Sequence, residues 1–276
     1  MSCHCLLQQT TPLLRAVTLM APAKGDPWVT VAFTPGHMVL HLATDDQCCT
    51  ATATVPKELF TELRADTDCR FMVSLSNLTA ALQLAAPAAL ANGSAVRIAY
   101  PDADSRCVVE THCGAGSRTL RASMITRPVK ERLLDLRFLD AVAPNRAELL
   151  GEICRDMVSD INAVTPDHLH ITFAAPAVCF AGTGGNYGSV TVEVSRHSDG
   201  VLNFEAGDDS VQPKYLCAQA MRAFGGFAAS KETLFERVTL AVNTERQLSV
   251  HHHGRDVDRD AAVLFVLQPL SALLDL

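Results

Sequence analysis

The chain has 276 residues, 48% of them hydrophobic and 19% charged, which is enough apolar material for one or two cored domains and excludes wholesale disorder. Twenty-three Lys and Arg stand against 30 Asp and Glu, a formal charge of -7, so the surface as a whole is no electrostatic trap for nucleic acid and any basic face must be local. The apolar stretches, such as LTAALQLAAPAAL after Asn77, fall short of the ~20 residues of a bilayer span, and MSCHCLLQQTTP lacks the features of a secretory signal; the expected setting is cytoplasm or nucleus, with no membrane.

In chain order, TTPLLRAVTLMA from Thr10 reads as a first short helix, with Thr11 ahead of Pro12 at its start. Strand-like runs come next: WVTVAF from Trp28, HMVLHLA from His37, CCTATATV from Cys48 and RFMVSL from Arg70. SNLTAALQLAAPAAL, opened by Ser76, is the second helix, and AVRIAY from Ala95 and RCVVETH from Arg106 are strands again. The charged, Pro-containing ITRPVKER, Ile125 to Arg132, reads as a connector between a domain at 1–124 and another at 133–276. After it comes the strand LLDLRFLDAV from Leu133. A third helix is predicted over PNRAELLGEICRDMVSDI from Pro144, where Leu149, Leu150, Ile153, Met157 and Ile161 recur at helical spacing. HLHITFA from His168, AVCFAG from Ala177, SVTVEVS from Ser189 and VLNFEA from Val201 are strands; KYLCAQAMRAFGGFA from Lys214 is the fourth helix. LFERVTLAVN, RQLSVHHHG and AAVLFVLQPL close the chain as strands. The second half thus repeats the style of the first, an α+β plan of two related halves with mainly alternating, one-sided strands.

Ten cysteines are scattered with no CxxC pair, mostly in apolar or alternating runs, and read as small buried hydrophobes. Neither Cys3–His4–Cys5 nor His251–His252–His253 has a second half at metal-binding spacing, and adjacent strand residues face opposite ways, so neither metal nor cofactor is expected. His112, His168 and His170 read as structural. GTGGNYG, Gly182 to Gly188, precedes a strand instead of a helix and reads as a hairpin turn, not a phosphate loop. Asp208, Asp209, Asp256, Asp258 and Asp260 fall in predicted turns; as metal-binding carboxylates they would make the chain a nuclease, as solvated turn residues they would not.

Segments 10–21, 76–94 and 213–230, which hold three of the helices, contain no Asp or Glu, where random scatter would place about five. Either these helices are simply buried, or they share a face turned toward a polyanion, where carboxylates would be repelled. Arg15, Lys214 and Arg222 are their only charges; the third helix instead mixes Arg146 and Arg155 with Glu148, Glu152, Asp156 and Asp160.

Two halves of this kind, with LLDLRFLDAVAP at Leu133 and ELLGEICRDMVSDI at Glu148, resemble the sliding DNA clamps of the proliferating cell nuclear antigen type. The run from Leu169 to Glu205, with Phe180, Thr183, Gly185, Asn186 and Gly188 at its turn, is most similar to the Rad-one subunit family of the nine-one-one checkpoint clamp. HLATDDQCCTATATVPKELFTEL from His41 and MVSLSNLTAALQL from Met72 resemble its first domain.

The resemblance implies antiparallel sheets outside and four short helices inside a ring of three related subunits around duplex DNA, in the nucleus, with no catalysis. Arg15, Arg146, Arg155, Lys214 and Arg222 would meet phosphates. Ser117, Thr119 and Arg121 on SRTLRASM, with Tyr187, Val190, Val192 and Val194 on NYGSVTVEV, would form the edges that join subunits. Met124, Ile125, Val129, Leu267, Pro269 and Leu270 would line a groove for client peptides, or else be ordinary linker and terminal packing. A clamp loader and repair or checkpoint proteins are the further partners implied. A metal-dependent exonuclease and a homotrimeric replicative clamp are the competing readings; the polar TDDQCCT weighs against the latter.

Overall fold

The computed structural model describes residues 2–21, 25–44, 48–65, 69–113, 118–129, 138, 143–207, 212–225, 235–254 and 260–270. The chain divides into two compact units, one built on Met1–Leu42, Thr52–Leu133 and Asp256–Val263, the other on Ala43–Ala51, Leu134–Arg255 and Leu264–Leu276.

The first unit runs β1 (Cys3–Leu7), α1 (Thr11–Met20), β2 (Trp28–Phe33), β3 (His37–Ala43), β4 (Cys49–Pro56, most of it in this unit), β5 (Phe60–Ala65), β6 (Cys69–Ser74), α2 (Leu75–Asn92), β7 (Val96–Tyr100), β8 (Cys107–Cys113), β9 (Arg118–Met124) and the two-residue β10 (Thr126–Arg127). One of its sheets has the order β5-β1-β7-β8-β9; in the other, β10-β6-β2-β3-β4 are neighbours. Helix α1 starts with Pro in its first turn and buries Leu13, Ala16, Val17 and Met20 at helical spacing. Helix α2 is capped at both ends. The Ser74 hydroxyl accepts from Asn77 N–H at 3.1 Å, worth about 1 kcal/mol, and Gly93 closes the helix at φ 60°, a left-handed conformation that glycine adopts without strain. Its buried face is Leu75, Leu78, Ala81, Leu82, Ala85 and Ala89.

The second unit runs β11 (Asn145–Leu150), α3 (Gly151–Val164), β12 (His168–Ala174), β13 (Ala177–Gly185), β14 (Gly188–Ser195), β15 (Val201–Glu205), β16 (Lys214–Leu216), α4 (Cys217–Ala223), β17 (Arg237–Val242), β18 (Leu248–His253) and β19 (Ala262–Leu267, most of it here). Its strands neighbour in the orders β15-β11-β17-β18-β19 and β16-β12-β13-β14. From β1 to β9 and from β11 to β19 the two units therefore share one order of strands and α-helices, and their sheets share one connectivity, strand for strand. Each unit has its own core, with Leu13, Leu40 and Phe71 fully buried in the first, and Phe180, Tyr215, Phe224 and Phe265 in the second.

Two helix predictions are corrected. The segment from Pro144 does not start as helix: Asn145–Leu150 is a strand paired with β15 and β17, and helix begins only at Gly151. Alternation of buried Asn145, Ala147 and Leu149 with half-buried Arg146, Glu148 and Leu150 suits a strand flanked on both sides, and Leu150 ends as the N-cap. The buried stripe of α3 is accordingly Cys154, Met157, Val158 and Ile161. Likewise Lys214–Leu216 pairs with His168–His170 as a strand, and α4 starts at Cys217. Helix α2 begins one residue earlier than expected and is capped by Ser74, not Ser76; α1 has Thr10, not Thr11, at its N-cap position. All but Phe138 of the predicted strand from Leu133 lies outside the described residues.

Candidate nucleic-acid interface and edge strands

The correction of the two helix starts moves two of the five selected cations off helices. Arg146 sits on β11 with Ala241 and Glu205 as its lateral neighbours, and Lys214 sits on β16 opposite His170. Arg15 lies on the outward side of α1, one turn from exposed Thr11 and Thr18. Arg155 on α3 is 3.7 Å from Asp156, on a face that also exposes Glu152 and Asp160. Arg222 occupies the last turn of α4, where a cation complements the partial negative charge of the helix end. The four helices together carry three arginines and three carboxylates, and α2 carries no charge.

The acid-free segments have two different causes. Helix α1 has little outward surface, as burial alone would require. Helix α2 has an open side, made of Ala80, Gln83, Leu84, Pro87, Leu90 and Ala91, on which Leu84 is 56% and Leu90 87% exposed. That side repels no phosphate and attracts none.

The end of α4 is held by a histidine. His252 is fully buried, donates Nε2–H to the Ala223 carbonyl at 2.6 Å and packs between Phe235 and Phe265. Burial pushes its pKa down to about 3, against the opposing pull of the Ala223 carbonyl and with lesser repulsion from His251 and His253, so the ring is neutral at neutral pH.

Strands β9 and β14 each stand last in a sheet, and among the described residues no further strand pairs with their outer sides. On β9, Thr119 and Arg121 are exposed; the Thr119 hydroxyl meets His112 Nδ1 at 3.3 Å, and Arg121 pairs with Asp102 and lies 3.9 Å from Glu110. The Arg121 hydrogen bond holds the Asp102 carboxyl below the usual carboxylate range. Ser117 lies outside the described residues. On β14, Val190 and Val192 are half-buried, Val194 is buried, and Tyr187, in the turn before the strand, is 79% exposed.

Between β14 and α3 opens a cleft of about 370 Å³, floored by Ile153, Met157, Val192 and Val194 and rimmed by Asp156, Asp160 and Glu193. No sequence pattern announces it, because its two walls lie some forty residues apart in the chain.

The glycine run is the β13–β14 hairpin. A Cβ on Gly185 would meet the Thr165 carbonyl oxygen at 2.6 Å, and one on Gly182 would meet Pro166 Cγ at 2.7 Å, so both let the hairpin press against the loop after α3. Gly188 instead supplies a φ of 102°.

The six groove candidates fall three to each unit. Met124 ends β9 and is buried, Ile125 is 65% exposed, and Val129 is half-buried; Leu267 ends β19 buried, Pro269 is buried and Leu270 half-buried. Beside Ile125 the chain is tied down, since Thr126 and Arg127 pair with Val73 and Met72 of β6, and the Arg127 guanidinium lies 3.8 Å over the Trp28 ring. No local sequence signal carries this contact, and the reading by pattern missed it.

Of the acidic residues considered for a nuclease, Asp208, Asp209, Asp256 and Asp258 lie outside the described residues, and Asp260 accepts from Ala261 N–H at 2.9 Å. Among the described residues no three His, Cys, Asp or Glu side chains are placed to hold a metal, and no helix is long and apolar enough to cross a membrane. His251 and His253 share a face, 3.9 Å apart, with His252 on the other, as strand geometry requires.

This duplicated architecture is the clamp fold of the proliferating cell nuclear antigen type, mainly antiparallel sheets with four helices. The chain is similar to the proliferating cellular nuclear antigen of Entamoeba histolytica, with a TM-score of 0.76 and 13% identity over 97% of this chain and 98% of that one. It is similar to the corresponding antigen of Thermococcus kodakaraensis (TM-score 0.75, 12% identity, 97% and 99% covered) and to a chain of the PCNA2–PCNA3 complex of Sulfolobus tokodaii (0.72, 14%, 98% and 100%). No protein-family model and no curated protein sequence matches it.

Proposed function

We propose that this chain is a non-catalytic subunit of a ring-shaped DNA clamp, assembled with two related subunits around duplex DNA in the nucleus, where it serves the DNA-damage checkpoint and repair response by tethering client proteins. The observation that carries the reading is the end-to-end correspondence with clamp structures, 97–98% of this chain against 98–100% of theirs. It is supported by the two open edges. A clamp closes by pairing an edge strand of one subunit with an edge strand of the next, and β9 and β14 each offer an unpaired row of backbone groups among the described residues.

The charge on the helices favours a mixed ring over three identical copies. Three arginines balanced by three carboxylates give a homotrimer no net attraction for phosphate from its helices. Sister subunits with basic helices would supply it, and this chain would contribute Arg15 and Arg222, with Lys214 and Arg146 from the adjoining strands. The likeness of Leu169–Glu205 to the Rad-one subunit family points the same way. The domains proposed are 1–124 and 133–276, joined through 125–132, and the exposed Ile125 with half-buried Val129 is the part of the first unit proposed to meet clients.

Native mass spectrometry of the tagged chain drawn from its own cells is the test. One copy each of three related subunits is the expected result; three copies of this chain would replace the checkpoint reading by a replicative one, and a monomer without ring partners would end the clamp reading.

A further inference from the structure

The sulfur atoms of Cys3 and Cys69 lie 2.8 Å apart in the first unit, inside ordinary van der Waals contact. Cys3 opens β1 of one sheet; Cys69 opens β6 of the other. Around them are Cys5 and Cys107, so four thiols from β1, β6 and β8 share one buried region. A small hydrophobe is all that burial demands of such positions, and alanine, which abounds in this chain, would satisfy it. Burial alone does not account for two sulfurs directed at each other between sheets.

We propose that Cys3 and Cys69 are a redox pair that closes into a disulfide, stapling the two sheets of the first unit. The bond needs ~2.05 Å between sulfurs, so closure requires a movement of under about 1 Å. In the structure both groups are thiols. Burial raises the pKa of the Cys3 thiol, with the Cys69 hydrogen bond adding to it, so resting Cys3 is protonated and slow to react.

Access comes from position. Cys3 is the first residue of the first strand, and the strand end borders an open cleft formed by Ser2, His4, Pro35, Leu63, Arg64 and Ala65. Fraying of that end exposes the Cys3 sulfur to a small oxidant of the peroxide class. The Cys3 thiolate attacks hydrogen peroxide, giving a sulfenic acid and releasing hydroxide, which takes up the thiol proton as water. The Cys69 thiol then attacks the sulfenic sulfur, forming the S–S bond and expelling a second water. Two thiols and one peroxide thus give one disulfide and two waters, and a dithiol reductant reverses the result by exchange. The closed loop spans Cys3 to Cys69, long enough for substantial restriction of the unfolded chain.

The test uses the full-length protein, with the more accessible Cys113 and Cys179 first alkylated and the remaining thiols titrated with hydrogen peroxide. The expected result is a mass loss of about 2 Da, a proteolytic fragment joining Cys3 to Cys69 that dithiothreitol releases, and a thermal midpoint raised by about 5–10 °C. Mapping on the unmutated chain keeps the test independent of whether Cys69→Ser folds; where that variant does fold, it should show neither the cross-link nor the shift. A disulfide joining any other pair, or both thiols recovered unoxidised at peroxide levels that oxidise an unfolded control, overturns the proposal.

Discussion

Lowering the pH from 7 to 5 should destabilise the second unit chiefly through one side chain. His252 is fully buried beside Phe235 and Phe265, and its pKa falls to about 3 from an ordinary 6.5. A histidine whose folded pKa lies below its unfolded value contributes stability that is complete above pH 6.5 and is lost as pH falls from there toward 3, because the unfolded chain takes up the proton first. Linkage gives a loss of about 2 kcal/mol at pH 5 and about 3 kcal/mol at pH 4, a large share of the ~5–15 kcal/mol of a typical domain.

The carboxylates with lowered pKa values, Asp26, Glu62 and Asp102, add their own acid sensitivity only below about pH 4, so the interval from 7 to 5 belongs to histidines. His170 and His253, also lowered, contribute equally in a His252→Gln variant, which can still donate to the Ala223 carbonyl but does not titrate. Urea unfolding of both proteins at pH 7 and pH 5 isolates the difference: the unmutated chain should lose about 2 kcal/mol more than the variant. Equal losses would mean that His252 takes up its proton in the folded state without cost, and the account of how α4 is anchored would be wrong.

Gly185→Ala should cost more than the ~1 kcal/mol of an unstrained glycine replacement, since its Cβ meets the Thr165 carbonyl; a thermal midpoint unchanged within 2 °C would contradict that close approach. Thr191→Pro on β14 should leave the isolated chain folded but abolish ring assembly, because the outer side of the edge loses a donor and gains a bulky ring; sedimentation showing an intact ring would remove β14 from the interface. Reversing Arg15, Lys214 and Arg222 to Glu should weaken retention of the assembled ring on circular DNA severalfold and flatten its salt dependence; unchanged retention would take these residues away from the phosphates. Arg127→Ala should alter the emission of Trp28, the chain's single tryptophan, and an unchanged spectrum would deny the stacking contact.

Much of the fold was legible because its signals are local. Strands β2, β3, β12 and β14 show two-residue alternation within their own span, and the helical face of α2 is written in Leu78, Ala81, Leu82, Ala85 and Ala89, with Gly93 as its stop. The repeat of elements between the halves was visible in their order. Where two periods overlap, local reading fails: Leu149 and Leu150 fit both the alternation of NRAELL and the helical spacing of Ile153, Met157 and Ile161, and hydrogen bonds from β15 and β17, remote in sequence, decide for the strand. The same competition at Lys214 is settled by pairing with β12.

Site properties depend on distance in space even more. Nothing adjacent in the chain tells that the outward side of α2 is apolar, that Arg237 stands 3.3 Å from the Glu148 carboxylate, that Arg127 covers Trp28, or that Cys3 and Cys69 touch. Residue type and period are carried by neighbours along the backbone, whereas burial, charge compensation and sulfur proximity arise only when segments separated by dozens of residues are packed together.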